Sequence, residues 1–222
     1  MKFTKVLNYI FLFLFLVVAG LAVSAQAYSK DIAAFKKQDS LQFPAPQSIL
    51  FIGSSSFTKW KDVQKYFPSY PIINRAFGGS KLPDLIKHAD DVIFPYSPKQ
   101  IIVYCGENDM ASSDTMTGQA VLNRFKKLFF LIRKKLPAVS IAFVSMKPSP
   151  SRQLIQEKLR EGNELIRTFL KTQKATDYID VYKEMIDDEG KPVPDLFVED
   201  NLHMNKKGYV IWQRVIEPYL KK

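Results

Sequence analysis

The chain has 222 residues, 46% hydrophobic and 24% charged, which excludes a disordered or fibrous protein and leaves room for one domain of ordinary size but not two large ones. Lys and Arg number 32 against 22 Asp and Glu, a formal charge of +10. These residues are scattered, with only short clusters such as Arg133-Lys134-Lys135, so they suit a solvated basic surface better than a nucleic-acid partner.

Lys2 and Lys5 precede an apolar run from Ile10 to Val23, followed by Ser24-Ala25-Gln26-Ala27. A basic start, a short apolar core and an A-x-A site make residues 1–27 a predicted signal peptide, with export to the periplasm or beyond after cleavage near Ala27. The run is shorter than the roughly 20 residues a membrane span prefers. An uncleaved anchor is the alternative, because residues from Tyr9 backwards could extend the run. Loss of Lys2 and Lys5 takes the formal charge from +10 to +8, and no stable membrane insertion is expected afterwards. Residues 28–222 are expected to form a single domain. Cys105 is the only cysteine, so no intramolecular disulfide can form and the fold must rest on its core. Its apolar neighbours predict a buried thiol rather than a nucleophile.

After the leader, Lys30 to Asp39 is polar and helix-compatible. Ser48 to Gly53 is a short apolar run ending in Gly, the signature of a strand buried on both faces. Ile72-Ile73-Asn74 is a shorter strand. Gln100 to Gly106, Ser140 to Ser145 and Asp177 to Val181 read as three more. Between them lie helical periods. Leu82 to Phe94 puts Leu82, Leu85, Ile86 and Ala89 on one face. Ala120 to Leu136 does so with Val121, Phe125, Leu128, Phe129 and Ile132, and Leu154 to Thr172 with Leu154, Leu159, Ile166 and Leu170. Lys207 to Leu220 closes the chain, with Val210, Ile211, Val215 and Ile216 apolar. Alternating strands and helices predict an α/β fold, a three-layer α/β/α sandwich around a parallel sheet of about five strands.

Ligands bind such sheets beyond the carboxyl ends of the strands. Four polar segments fall there: Gly53-Ser54-Ser55-Ser56, Asn74 to Ser80, Gly106-Glu107-Asn108-Asp109, and Asp200-Asn201-Leu202-His203 ahead of the last helix. Nucleophilic hydrolysis needs a hydroxyl, a base to take its proton, a group to orient the base, and donors for an oxyanion. The chain has two histidines. His88 lies inside a predicted helix and reads as a surface residue. His203 follows Asp200 by three positions, close enough for a carboxylate to meet the imidazole Nδ1 and leave Nε2 for a serine. In isolation each segment has a plainer reading. Asp200 could cap a helix, the serines could cap the next helix, Gly78-Gly79 could be a turn with positive φ, and Asn108 could form an Asx turn.

Taken in order along the chain, the four segments resemble the sequence blocks of the SGNH hydrolases, also called the GDSL-like lipase/acylhydrolase family. The resemblance spans Ile49 to Gly208. It implies a flavodoxin-like parallel sheet, with Ser55 as nucleophile, Asp200 and His203 as its proton-handling pair, and an oxyanion hole of the Ser55 and Gly79 N–H groups and the Asn108 side-chain amide. One position departs from the pattern: Ser54 stands where the family has Asp, which leaves Ser54 and Ser56 as rivals to Ser55. No metal or organic cofactor is implied. The implied activity is hydrolysis of carboxylic esters through an acyl-enzyme, with short acyl groups on sugars or similar small molecules as expected substrates. A lysophospholipase-type lipid esterase, an acyltransferase using the same site, and a catalytically silent carbohydrate-binding module on the same fold are the alternatives. A nucleotide-binding flavodoxin-like domain would want a phosphate-cradling glycine pattern, and neither Gly-x-Gly-x-x-Gly nor a P-loop is present. The segment Asp187 to Val198 is expected to wall the site. The oligomeric state is not legible.

Overall fold

A computed structural model describes residues 28–222; the predicted leader and its cleavage site lie outside the described residues. Five strands, β1 Ile49–Gly53, β2 Ile72–Asn74, β3 Gln100–Tyr104, β4 Ser140–Val144 and β5 Thr176–Ile179, form one sheet in the order β2-β1-β3-β4-β5. Every neighbouring pair is parallel. The longer helices are α1 Ser29–Leu41, α7 Gly118–Lys135, α8 Gln156–Lys171 and α9 Lys206–Ile216. Short helical turns fill the connections: α2 Ser55–Thr58, α3 Val63–Tyr66, α4 Leu82–Lys87, α5 Ala89–Val92 and α6 Glu107–Met110. Among the described residues no helix is long and apolar enough to cross a membrane.

Every residue of β1, β3 and β4 is buried, and alternate side chains serve different layers, as a pleated strand requires. Leu50, Ile52, Ile101, Val103, Ile141 and Phe143 pack with Leu85, Phe125, Leu159 and Ile166 from α4, α7 and α8. Ile49, Phe51, Ile102, Tyr104 and Val144 pack on the other face with Phe57, Trp60, Trp212 and Ile216. The predicted three-layer sandwich is the observed one. The strand order reverses between β1 and β3, and this switch point opens a crevice at their carboxyl ends. Gly53 makes the turn there possible. It pairs with Tyr104, has φ +139°, and a Cβ at this position would lie 1.9 Å from the Tyr104 carbonyl oxygen.

Three helical expectations need correction. The single helix predicted over Leu82 to Phe94 is broken at His88, whose φ −102° and ψ 14° end α4 before α5 begins. Leu154 is not on the apolar face of α8. It is fully exposed, because Pro150–Ile155 forms a 3₁₀ turn whose Ser151 N–H is committed to the Asn201 carbonyl at 3.0 Å, and the α-helix starts only at Gln156. In α9 the buried stripe is Tyr209, Trp212 and Ile216, while Val210 is exposed.

Burial pushes the phenols of Tyr104, Tyr178 and Tyr209 above their ordinary value of 10.0, and Tyr96 to about 12. A folded-state pKa raised above the unfolded one contributes stability that is fully present below pH 10 and lost as pH rises through the folded value. The protein should therefore unfold in alkali between about pH 10 and 12. Phenolate absorbance near 295 nm should rise together with loss of near-UV circular dichroism, rather than four or more tyrosines ionising at pH 10 in a folded chain.

Candidate active site

The Gly53 turn delivers Ser54, Ser55 and Ser56 to the carboxyl edge of the sheet, with Ser55 the first residue of α2. The first N–H groups of a helix have no intrahelical acceptor, so the backbone here can donate to a ligand. Ser54 and Ser56 are buried, at 4% and 2% exposure, and Ser55 is half-buried. Ser55 Oγ lies 3.0 Å from His203 Nε2 across 148 residues of sequence. Ser54 Oγ instead accepts a hydrogen bond from Asn108 Nδ2 at 2.7 Å. The structure thus separates the three serines that sequence left as rivals.

His203 Nδ1 lies 2.6 Å from Asp200 Oδ2. A neutral ring with its proton on Nδ1 donates to that carboxylate and accepts the Ser55 hydroxyl at Nε2. The i,i+3 approach comes from a turn, not from a helix. Asp200 Oδ1 accepts the N–H groups of Leu202 and His203 at 2.9 and 2.8 Å, Asn201 takes a left-handed φ of 55°, and Val198 N–H reaches the His203 carbonyl at 2.9 Å. The cap of α9 is Asn205, which accepts from Lys207 N–H and Gly208 N–H. The hydrogen bond from the His203 imidazole, and then the backbone N–H of His203, hold the Asp200 carboxyl well below the usual carboxylate range. His88 has other partners and is not the surface residue the sequence suggested: its Nδ1 lies 3.5 Å from Asp91, and its side chain, 14% exposed, packs edge-on against Phe77 and Tyr28.

The Gly78-Gly79 turn abuts Ser55, since a Cβ on Gly78 would lie 4.0 Å from the Ser55 Cβ. Gly79 has φ +81°, a conformation that favours glycine. Its carbonyl accepts from the Tyr28 hydroxyl at 3.2 Å. Ser80 Oγ donates to the Gly53 carbonyl at 2.9 Å, and Asn108 Nδ2 donates to the Ser80 carbonyl at 3.2 Å. Asp109, fully buried, accepts Leu82 N–H at 2.9 Å and Arg124 Nη1 at 2.7 Å, which ties this turn to α7. Cys105 is buried, and burial pushes its thiol well above the ordinary value.

Several residues here were not singled out by sequence. Lys147, 1% exposed, places Nζ 3.3 Å from the Glu107 carboxylate, which also accepts from the Tyr104 hydroxyl. Burial lowers the Lys147 pKa, opposed by Glu107. Arg152 Nη2 reaches Asn108 Oδ1 at 3.5 Å. The signal available in the sequence was position: Lys147 lies three residues beyond the carboxyl end of a buried strand. Ser54, Ser55, Ser56, Tyr104, Cys105, Glu107, Asn108, Lys147 and Leu202 enclose a recess of about 10 Å³, room for about one water or methyl group. The segment Asp187 to Val198 does not line this recess. Only its end reaches the site, through the Val198 N–H and through Phe197, whose ring centroid is 5.6 Å from Lys147 Nζ.

A parallel α/β sheet carrying a serine, an imidazole and a carboxylate in line at its switch point has the architecture of an ester hydrolase. The chain belongs to the GDSL-like Lipase/Acylhydrolase family, whose model matches residues 51–211, and it is a carboxylic ester hydrolase. A Streptococcus pneumonia protein whose name refers to platelet activating factor superposes with a TM-score of 0.77 at 19% identity, over 94% of this chain and 99% of that one. A GDSL-like lipase from Bacteroides thetaiotaomicron gives 0.71 at 16%, over 85% and 96%. An acetylxylan esterase from Geobacillus stearothermophilus gives 0.62 at 12%, over 79% and 94%. At these identities the likeness is one of fold. No curated protein matches the chain in sequence.

Lys147→Met should destabilise the fold by about 3 kcal/mol, because it removes the fully buried cation of Glu107 and leaves only the longer contact with the partly exposed Arg152. Lys147→Met combined with Glu107→Gln should cost less than Lys147→Met alone. Urea denaturation midpoints of the two variants measure the difference.

Proposed function

We propose that the protein is an exported serine esterase that removes acetyl or similarly short acyl groups from small polar carriers, carbohydrates among them. The observation that carries the reading is the line from Ser55 Oγ to His203 Nε2 at 3.0 Å and from Nδ1 to Asp200 at 2.6 Å. His203 Nε2 takes the Ser55 proton as Oγ attacks the ester carbonyl. The tetrahedral oxyanion is met by the N–H groups of Ser55 and Gly79 and by the Asn108 amide. The proton then passes from Nε2 to the departing alcohol as the C–O bond breaks. Water attacks the acyl-enzyme in the second step, with His203 again as base, and the carboxylic acid leaves as Ser55 recovers its proton. Asp200 keeps the ring in the Nδ1–H tautomer and stabilises the imidazolium. The basic start and A-x-A site of residues 1–27 support export.

The size of the recess beside Ser55 supports a short acyl group, since it holds about one methyl. A longer chain would have to lie on the open surface. Leu154 and Val198, exposed at 102% and 43% near the catalytic loop, are the observation that favours the lipid-esterase reading.

Ser55→Ala should abolish hydrolysis of p-nitrophenyl acetate and labelling by a fluorophosphonate, with an unchanged circular dichroism spectrum. Full activity in Ser55→Ala would sink the reading, and an unaltered protein that takes no label would indicate a silent module. Asp200→Asn keeps an oxygen for the Leu202 and His203 N–H groups yet imposes the wrong imidazole tautomer, so kcat should fall about 10²–10⁴-fold while the melting temperature holds.

Along a series of p-nitrophenyl esters, kcat/KM should drop about tenfold or more from acetate to butyrate, the effect of methylenes a pocket cannot hold. Rates that climb towards octanoate would instead point to a lipid substrate.

A further inference from the structure

Asn108 has two amide hydrogens and one amide oxygen, and all three are engaged. Nδ2 donates to Ser54 Oγ at 2.7 Å and to the Ser80 carbonyl at 3.2 Å. To serve an oxyanion, one N–H must turn from these acceptors without the amide rotating end over end. The group that meets its oxygen is the Arg152 guanidinium, Nη2 to Oδ1 at 3.5 Å. The bond is long, but the partner is a full charge facing the negative end of the amide dipole, and that attraction is longer in range than a neutral hydrogen bond.

Arg152 is itself held. Its Nε lies 3.8 Å from Glu107 Oε1, with the arginine side chain 24% exposed and the glutamate 8%. Glu107 is fixed by Tyr104 and by the fully buried Lys147. The backbone around Arg152 is fixed too. Its N–H donates to the Ser149 carbonyl, and Ser151 N–H donates to the Asn201 carbonyl, both at 3.0 Å. Pro148 and Pro150 restrict φ on the approach. One short segment is therefore tied by its backbone to the loop that carries Asp200 and His203, and by a side chain to Asn108.

We propose that Arg152, braced by the Glu107–Lys147 pair, is a positioning residue for the oxyanion hole: it fixes the orientation of the Asn108 amide and polarises its N–H groups through the carbonyl. The inference rests on the proposed function, in which Asn108 is an oxyanion donor. It assigns Arg152 no contact with substrate.

The test is a double-variant cycle with p-nitrophenyl acetate on the full chain. Asn108→Ala should lower kcat about 10²–10³-fold. Arg152→Ala should lower kcat about 10–100-fold, the scale of loss when a catalytic group is misplaced by about an ångström, with KM changed less than about twofold. Arg152→Ala added to Asn108→Ala should cost no more than about a further twofold, because its only route is through the missing amide. Arg152→Lys keeps the charge and should retain more activity than Arg152→Ala. Losses that multiply in the double variant, or a KM that rises with kcat unchanged, would overturn the inference by making Arg152 a substrate contact or a general structural residue. Wild-type kcat in Arg152→Ala would overturn it outright. Should Arg152→Ala fail to fold, Arg152→Gln carries the same cycle. Failure of the proposed function is separately visible, as esterase activity that survives Ser55→Ala.

Discussion

The 3.0 Å contact between Ser55 and His203 joins two ends of the chain, and the parallel sheet is what makes it possible. In a parallel sheet every strand leaves by the same edge, so β1, β2, β3 and β4 all discharge their following loops onto one side. The turn after β1 supplies a hydroxyl, the segment after β2 supplies Gly78-Gly79, and the turn after β3 supplies Glu107, Asn108 and Asp109. The loop after β4 supplies Lys147 and Arg152. The His203 loop is brought to this edge because α9 is anchored by Trp212 and Ile216 against the opposite face of β1 and β3, with Tyr209 donating to the Ser56 carbonyl at 2.9 Å. Packing on one face of the sheet thus sets a distance at its edge.

The edge is rich in buried polar groups, which are costly unless partnered. The partners are largely each other. Asp109 answers Leu82 and Arg124, Glu107 answers Tyr104 and Lys147, and Ser54 answers Asn108. Such a network contributes little net stability by comparison with apolar packing of equal volume. What it supplies is rigidity at the place where the proposed mechanism has a developing charge met by dipoles already in position. The two exposed members of the constellation, Asp200 and Gly79, lie on the solvent side, where a carrier molecule can approach.

The sheet was legible because buried parallel strands are written as short continuous apolar runs, and Ile49 to Gly53 and Gln100 to Tyr104 keep that pattern without a break. The ends of helices were less legible. His88 breaks a continuous apolar period through backbone angles that no hydrophobic pattern records, and Leu154 extends the period of α8 while Ser151 and the prolines before it belong to the active-site edge. Ser55, His203 and Asp200 could be proposed because the chain has only two histidines, one of them three residues after an aspartate, and because the serine follows the end of an apolar strand. Lys147 and Arg152 could not be chosen in the same way. Thirty-two basic residues are spread through the chain, and only the fold separates one lysine that is fully buried beside a carboxylate from the many in solvent.

The serine at position 54 gains a physical reading from this arrangement. Its Oγ is buried and accepts an Asn108 hydrogen, which any oxygen acceptor at this point would do. A carboxylate here would bind that hydrogen about twice as strongly as a neutral hydroxyl, and would stand as a further buried negative charge beside Glu107 and Asp109. The hydroxyl keeps the acceptor without the charge. In the proposed mechanism it therefore competes less with an oxyanion for the same N–H, and the amide that Arg152 is proposed to hold from its oxygen end is easier to release at its nitrogen end. The departure at Ser54 and the brace at Arg152 are in this sense complementary. A weaker acceptor on one side of Asn108 leaves its orientation more dependent on the charge at the other.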